Sequence, residues 1–319
     1  MVCLVPEEAA LTEILTAIGG LKPPPAQASG LPMLKQAVVL LWGIGRARGD
    51  GERLMPWTAT CEALVPLLEA HRREGERDQG RPDYPVAALY RAGLWDLQGH
   101  QGAVPAAHGD TALKGWFDEH RPSSGLPVPL HDLVHGSGEA RIRVVDAIVD
   151  RFFEDWDYSA LMAAVGLDDE DLADDEPGTD TTAGDPKAAY RRWCDLVVQR
   201  EDQTYGKRRR TVRRDPVRLA AARRAVLLRS EGRCENPACD REAPDLTDQG
   251  DPILEVDHIA EITAGGRDFP EQMIALCPDC HAVKTRGRSR HQLRPRLLAV
   301  AHQRHLTWIS EAPDDQSPE

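Results

Sequence analysis

Apolar residues recur at helical spacing through the first half of the chain. Leu11, Ile14 and Ile18 fall on one stripe, which predicts an amphipathic helix over residues 8–18. The same pattern predicts further helices over residues 34–44, 59–73, 85–94 and 141–153. Residues 98–138 are rich in Gly, Pro and His, so we expect mostly loops there, with short strands. The first half is therefore predicted to be mainly helical.

The second half mixes helical and strand patterns. Residues 186–199 and 217–230 have helical spacing, residues 253–259 alternate as a strand does, and a short helix is expected over 280–285. Together with the helical first half, this pattern predicts a chain of the α+β class.

An acidic stretch separates the two halves. Residues 168–186 contain nine Asp/Glu and no Lys/Arg, and such a stretch cannot bury enough apolar surface to fold. We therefore expect a domain at 1–167, an acidic linker at 168–186, a second domain at 187–305 and a disordered tail at 306–319.

The net charge of −13 is unevenly distributed between these regions. Residues 1–167 contain 22 acidic and 15 basic side chains, whereas residues 187–305 contain 24 basic and 17 acidic ones. DNA responds to local charge, so the basic second domain is compatible with DNA binding despite the acidic total. Within it, the basic cluster at 207–214 is predicted to contact phosphates.

Four cysteines of the second domain have the spacing of a metal site. They form two pairs, Cys234-x4-Cys239 and Cys277-x2-Cys280. Four thiolates at such spacing suit one tetrahedral zinc ion with no open position for chemistry. We expect a structural zinc site here.

The remaining cysteines and the hydropathy bear on the compartment. Cys3, Cys61 and Cys194 lie outside the zinc pattern and are expected to be free thiols in a reducing environment. No run of 18 apolar residues occurs, and the first ten residues lack the pattern of a secretory signal. These features predict a cytoplasmic protein with no membrane partner.

Two histidines and an aspartate lie beside the cysteine pairs without belonging to the zinc pattern. Asp257 and His258 are adjacent on the predicted strand, and His281 follows the last cysteine. Asp and His side chains bind divalent ions and activate water, so these residues are candidates for a second, catalytic metal site.

The order of these features resembles that of the HNH endonuclease family, which has a ββα-metal fold. The resemblance covers roughly residues 217–290 and includes the segments GRCENPAC (232–239), LEVDHI (254–259) and ALCPDCH (275–281). It implies that His258 is the general base for water, while Asp257 and His281 hold a divalent ion such as Mg²⁺ or Mn²⁺. Gln272 stands where the family usually has an Asn that orients the loop of the base.

Phosphodiester hydrolysis requires such a set of groups. The reaction needs a cation on the phosphate oxygens and a base for water. An imidazole with a pKa of about 6.5 is mostly neutral at pH 7 and can accept the proton. Adjacent strand residues point to opposite faces, so Asp257 and His258 could serve one phosphate only where the strand bends. Gly265 and Gly266 follow and would permit a bend.

A segment of the first domain, DYPVAALYRAGLW (83–95), is similar to the sulfur-binding domain of McrA-like type IV restriction enzymes that cut phosphorothioate-modified DNA. The whole arrangement, a helical domain followed by a zinc-containing HNH domain, matches that family from end to end. The resemblance implies a sulfur pocket at Tyr84, Pro85 and Ala88 and DNA contacts at Lys35 and Gln36. Arg91 is a further candidate for a contact with the DNA backbone. At Lys35 and Gln36 the family usually has other basic or polar residues.

An apolar pocket at a helix start is a physically reasonable site for a phosphorothioate. Sulfur is larger and more weakly hydrated than oxygen, whereas a phosphate oxygen would lose hydrogen bonds to water without replacement. Tyr84, Pro85 and Ala88 share one helical face by their i,i+3 and i,i+4 spacing. The first helical turn also offers backbone N–H groups to an anion.

The sequence therefore predicts a modification-dependent endonuclease that binds phosphorothioated double-stranded DNA. Cutting both strands would require a homodimer or sequential nicking. Three alternatives stay open: the first domain reads a methylated base, the second domain is a zinc DNA-binding module without catalysis, or the first domain is a protein-interaction adaptor.

Overall fold

The computed structural model describes residues 4–26, 30–49, 51–73, 80–105, 110–153, 158–168, 185–205, 216–246, 252–259 and 268–310. The chain divides into two compact units: Met1–Leu172 with Thr211–Arg213, and Ala173–Arg210 with Arg214–Glu319.

The first unit is built mainly from helices. They are α1 Leu4–Gly19, α2 Lys35–Arg48, α3 Trp57–Ala70, α4 Asp83–Arg91, α5 Asp110–His120, α6 Val128–Gly136, α7 Gly138–Phe152 and α8 Ser159–Ala164. Three short antiparallel strands accompany them in the order β1-β3-β2: β1 Met55–Pro56, β2 Asp96–Gln98 and β3 Ser123–Gly125.

Helix α2 forms the centre of the first unit. Its residues are buried nearly all the way round, and it contacts α3, α4, α6 and α7. A helix that is apolar on every side belongs in a core. One glycine permits the packing: a Cβ at Gly45 would lie 1.8 Å from the carbonyl oxygen of Val165. Any side chain at position 45 would therefore force the segment after α8 away from α2.

The second unit combines helices with one hairpin. Its helices are α9 Pro186–Tyr205, α10 Pro216–Ser230, α11 Pro278–Arg286 and α12 Arg290–Ile309. Strands β4 Glu255–His258 and β5 Met273–Leu276 pair antiparallel, with Asp257 opposite Ile274 and His258 opposite Met273. A short 3-10 turn, Pro270–Gln272, leads into β5, and α11 packs against both strands. Strands β4 and β5 with α11 form a ββα unit.

A buried ion pair joins α10 to the hairpin. The Arg229 and Glu235 side chains are fully buried, and Arg229 Nε donates to Glu235 Oε1 at 2.9 Å. Glu235 in turn accepts from the backbone N–H of Ala275 in β5 at 2.8 Å. Burial alone would lower the pKa of Arg229, but Glu235 holds that pKa above its usual value. The pair therefore stays charged and links three segments of the unit.

The helices and strands predicted from periodicity are confirmed within a few residues, and so is the α+β class. The expectation for residues 98–138 was wrong in part, because α5 and α6 occupy much of that stretch. Their buried apolar residues include Leu113, Phe117 and Leu130. The high local Gly and Pro content had favoured loops over this helical pattern.

Several other expectations concern residues outside the described part of the chain. Most of the acidic linker lies there, as do the basic cluster at 207–214, the loop containing Gly265 and Gly266, residues 311–319 and Cys3. Cys61 and Cys194 are free thiols, as predicted. In the described residues, no helix has the length and apolar composition needed to cross a membrane.

Candidate nuclease and DNA-binding sites

The four predicted cysteines converge on one point in the second unit. Their Sγ atoms all lie within 4.8 Å of one another, and those of Cys239 and Cys277 are 3.9 Å apart. Sulfurs at the corners of a tetrahedron, each about 2.3 Å from a central zinc, are about 3.8 Å apart. The cluster therefore has the size that a zinc ion requires.

Local turns and hydrogen bonds prepare this cluster for a cation. The backbone carbonyl of Asn236 accepts from the N–H of Cys239 at 2.8 Å, and the side-chain amide of Asn236 donates to Cys280 Sγ at 3.2 Å. A hydrogen bond from Arg241 lowers the pKa of the Cys239 thiol to about 6. Burial instead raises the pKa of Cys234 and of Cys280. The four sulfurs can all be thiolates only with a cation among them, which fits a metal site.

Asp257 and His281 form a second cluster, on β4 and α11. Asp257 Oδ2 lies 3.0 Å from His281 Nε2. Two ligand atoms at about 2.1 Å from an octahedral ion, in neighbouring positions, would be about 3.0 Å apart. The spacing would admit the predicted divalent ion, and binding of the ion by Asp257 and His281 stays a prediction.

Further charged groups surround this pair. Lys284 Nζ, on a side chain 5% exposed, donates to Asp257 Oδ2 and to the carbonyl of His258. The Glu255 carboxylate contacts His281 Nδ1. Burial alone would raise the pKa of Asp257, but Lys284 and His281 hold that pKa below its usual value. Asp257 is thus a carboxylate at neutral pH, as an ion-binding residue must be.

His258 contacts a different set of groups from its neighbour. Its Nε2 atom lies 2.7 Å from Asp268 Oδ1, and Arg218 Nε donates to Asp268 Oδ2 at 3.2 Å. Burial alone would raise the pKa of Asp268, but His258 and Arg218 hold it below its usual value. Both Asp257 and His258 pair with β5, and their side chains contact different partners. The bend that would bring both to one phosphate stays a prediction.

Gln272 stands at the end of the 3-10 turn beside the base strand. Its carbonyl accepts from the N–H of Ile259 at 3.0 Å, and its own N–H donates to Phe269 at 2.8 Å. The main chain of Gln272 therefore holds the residue that follows His258. The orienting role expected of its side chain stays a prediction.

The predicted sulfur-pocket residues lie at the start of α4. Pro85 is buried, whereas Tyr84 and Ala88 are partly exposed, and the buried carboxylate of Asp83 is paired with Arg81 at 2.9 Å. The helix begins after Pro82 with no side-chain cap. An apolar surface thus lies at the start of a helix, where the helix dipole favours an anion.

The other predicted DNA contacts are placed less favourably. Arg91 lies seven residues beyond Tyr84, a rise of about 10 Å along the helix, and donates to the carbonyl of Pro105. Lys35 and Gln36 begin α2, and each is only 8% exposed. The structure therefore leaves little of the Lys35 and Gln36 side chains on the surface, and their roles stay predictions.

Asp268 and Lys284 were missed by the sequence argument. Lys284 follows His281 by three positions on α11, so helical spacing could have shown that the two share a face. Asp268 lies outside regular structure, so no periodicity could have found it.

The ββα unit, the Asp257–His281 pair and the four-cysteine cluster define an endonuclease fold of the HNH class. Residues 234–287 match the family model "HNH endonuclease". Residues 11–170 match the model "ScoMcrA-like, DNA sulfur-binding domain", which covers half of the chain. The protein therefore belongs to the ScoMcrA-like family, with a sulfur-binding domain followed by an HNH domain.

Three proteins similar to this chain show how far the likeness extends. The sulfur-binding domain of SprMcrA, solved with phosphorothioated DNA, is 45% identical over 49% of this chain and 94% of that one, with a TM-score of 0.46. The phosphorothioation-dependent restriction endonuclease ScoMcrA is 21% identical over 93% of this chain and 88% of its own, with a TM-score of 0.39. EcoKMcrA of Escherichia coli K12, a type IV methyl-directed restriction enzyme, is 43% identical over 56 residues. That match spans only 20% of the length of EcoKMcrA and 18% of this chain.

Proposed function

We propose that the protein is a modification-dependent, type IV restriction endonuclease that recognises phosphorothioated double-stranded DNA and hydrolyses phosphodiester bonds nearby. The main support is the presence of both family matches on one chain, with the candidate catalytic residues of the second match grouped on β4 and α11. Residues 1–167 would recognise the DNA and residues 187–305 would cut it. Residues 168–186 would link the two domains. The tail predicted at 306–319 would begin only after α12, which extends to Ile309.

Recognition would depend on the first turn of α4. Tyr84, Pro85 and Ala88 would surround the sulfur atom with carbon, while the backbone N–H groups of that turn meet the charge that a phosphorothioate shares with phosphate. An ordinary phosphate oxygen in the same place would lose its hydration without replacement. Preference for sulfur would therefore come from the penalty against oxygen as much as from attraction to sulfur.

Hydrolysis would use the groups on β4 and α11. Asp257 and His281 would hold a divalent ion, Mg²⁺ or Mn²⁺, which supplies positive charge to the phosphate and leaving oxygens when bound. His258 would accept a proton from the attacking water. The four cysteines would hold Zn²⁺ as a structural ion.

The charge near the hairpin supports a DNA partner. Residues 280–310 contain seven Lys/Arg and no Asp/Glu, and Arg286 and Arg288 are exposed there. Basic side chains beside a nuclease site neutralise phosphates without reading the sequence.

Cutting both strands would require a homodimer or sequential nicking. The free thiols Cys61 and Cys194 favour a cytoplasmic location.

The direct test compares three duplexes of one sequence. One has a single phosphorothioate, one is unmodified and one has methylcytosine, and each is incubated with zinc-loaded protein and Mg²⁺ or Mn²⁺. We expect cleavage near the phosphorothioate, with the other two duplexes cut at least tenfold more slowly. Preferential cutting of the methylcytosine duplex would instead favour a base reader.

Two variants separate recognition from chemistry in the same assay. Tyr84→Ala should lose most of the preference for sulfur, whereas Tyr84→Phe, which keeps the ring, should retain it. His258→Ala should abolish cutting while leaving the affinity for the phosphorothioate duplex unchanged. Binding without cutting by the wild-type protein under all metal conditions would support the zinc-module alternative. Absence of binding to every duplex would support the adaptor alternative.

A further inference from the structure

Asp268 lies just before the 3-10 turn that leads into β5, and its side chain is 7% exposed. One carboxylate oxygen meets His258 Nε2 at 2.7 Å. The other accepts from the guanidinium of Arg218 on α10. A buried acidic residue thus connects the candidate base to a cation on a different element.

This contact determines which ring nitrogen of His258 can accept a proton. A neutral imidazole has one N–H and one lone pair, on different ring nitrogens. An ionised carboxylate can only accept hydrogen bonds, so Nε2 must donate to Asp268. The lone pair is then on Nδ1, which leaves that atom to accept a proton.

We propose that Asp268 is a positioning residue that holds His258 in the Nε2–H tautomer and so makes Nδ1 the general base. The inference rests on the proposed function, in which His258 activates water. The water O–H bond breaks, its proton passes to Nδ1, and the oxygen bonds to phosphorus as the bond to the leaving oxygen breaks. The leaving oxygen takes its proton from solvent.

Asp268 also offsets the charge that the step creates. When Nδ1 accepts the proton, the ring becomes a cation with Nε2–H still bonded to Asp268. A carboxylate at 2.7 Å stabilises that cation more than it stabilises the neutral ring. Arg218 fixes the second oxygen, so the carboxylate keeps its direction towards His258.

The tautomer can be observed without any activity. In zinc-loaded full-length protein labelled with ¹⁵N-histidine at neutral pH, the two ring nitrogens of His258 should show the shifts of an Nε2–H tautomer. The signal is assigned by its loss in His258→Gln. A wild-type ring protonated on Nδ1 would overturn the proposal whatever the DNA experiments show, and a protein that cuts no DNA would leave this measurement intact.

Kinetics test the consequence. The side-chain amide in Asp268→Asn can donate as well as accept a hydrogen bond, so it also permits the Nδ1–H tautomer of His258. It also lacks the negative charge of the carboxylate. We expect its single-turnover cleavage rate to fall about 10-fold to 100-fold, the range usual for orienting residues, with DNA affinity and zinc content unchanged. Asp245→Asn makes the same chemical change at an exposed position whose carboxylate caps the N–H of Leu246, and it should cut within twofold of wild type.

Two results would show that Asp268 has only a structural role. One is an Asp268→Asn protein that cuts within twofold of the wild-type rate. The other is a variant whose rate loss is matched by an equal loss of DNA affinity or of bound zinc, because a positioning residue changes the rate after binding.

Discussion

The buried pair Arg229–Glu235 offers a demanding test of what holds the nuclease unit together. Arg229 donates to both oxygens of Glu235, at 2.9 and 3.2 Å, and to the carbonyl of Met273 at 2.7 Å. It also donates to the carbonyl of Pro270. In Arg229→Met, the buried carboxylate keeps the N–H of Ala275 at 2.8 Å and the more distant Arg304 Nη1 at 3.9 Å, but it loses its main cation. Breaking one side of such a buried pair typically costs about 3–5 kcal/mol.

A second variant isolates the charge from the packing. Glu235→Gln added to Arg229→Met removes the buried charge that has lost its main partner, and the amide oxygen can still accept from Ala275. The double variant should therefore be more stable than Arg229→Met alone, although less stable than wild type because the carbonyls of Met273 and Pro270 still lack their donor.

The assay is urea unfolding of the full-length, zinc-loaded protein, followed by zinc release to a coloured chelator at fixed zinc and protein concentrations. Zinc release reports on the second unit, which contains the four cysteines. With a urea dependence of about 2 kcal/mol per molar, a loss of about 4 kcal/mol lowers the midpoint by about 2 M. A shift below about 0.5 M, or a double variant less stable than the single one, would refute the reasoning.

Three further perturbations address other parts of the molecule. Cys277→Ser should release the zinc ion and unfold the nuclease unit, measured by metal content and circular dichroism, while phosphorothioate binding by the first unit persists. Gly45→Ala should lower the melting temperature of the first unit because its Cβ would lie 1.8 Å from the Val165 carbonyl, whereas Gly115→Ala, with nothing within 4 Å, should be neutral or slightly stabilising. Burial lowers the pKa of His305, so the unfolded state binds more protons below about pH 6.5 and the free energy of unfolding falls as the pH drops. His305→Asn should reduce this pH dependence of stability, measured by urea unfolding between pH 7 and 5.

Local pattern was sufficient for most of the fold. The apolar run before Ile44 predicted α2 because a helix buried on every side has few polar positions to disguise it. The cysteine spacing predicted the four-sulfur cluster, since a turn holds the first pair and the first turn of α11 holds the second. Residues 110–136 were misread because their helices are short and flanked by Gly and Pro, so the breakers outweighed the periodicity.

The candidate site was predictable only where its residues belong to a recognisable spacing. Asp257, His258 and His281 have that spacing, and the structure brings Asp257 and His281 to 3.0 Å. Asp268 is ten positions beyond His258 in the sequence and lies outside regular structure, so nothing in the local pattern indicates the contact. Lys284 was visible in principle through its helical spacing from His281.

Charge at this site depends on contacts that are distant in sequence. Arg218 approaches Asp268 from 50 positions away, and Lys284 approaches Asp257 from 27. Burial alone would raise the pKa values of Asp257 and Asp268 and favour the neutral acids. The nearby cation keeps each carboxylate ionised. Such stabilisation exists only when α10, the hairpin and α11 are assembled, because the unfolded chain does not hold these groups together. The ionisation that the proposed hydrolysis needs therefore depends on the folded unit. For this reason, residue spacing could predict the reacting groups but could not predict the groups that keep them charged.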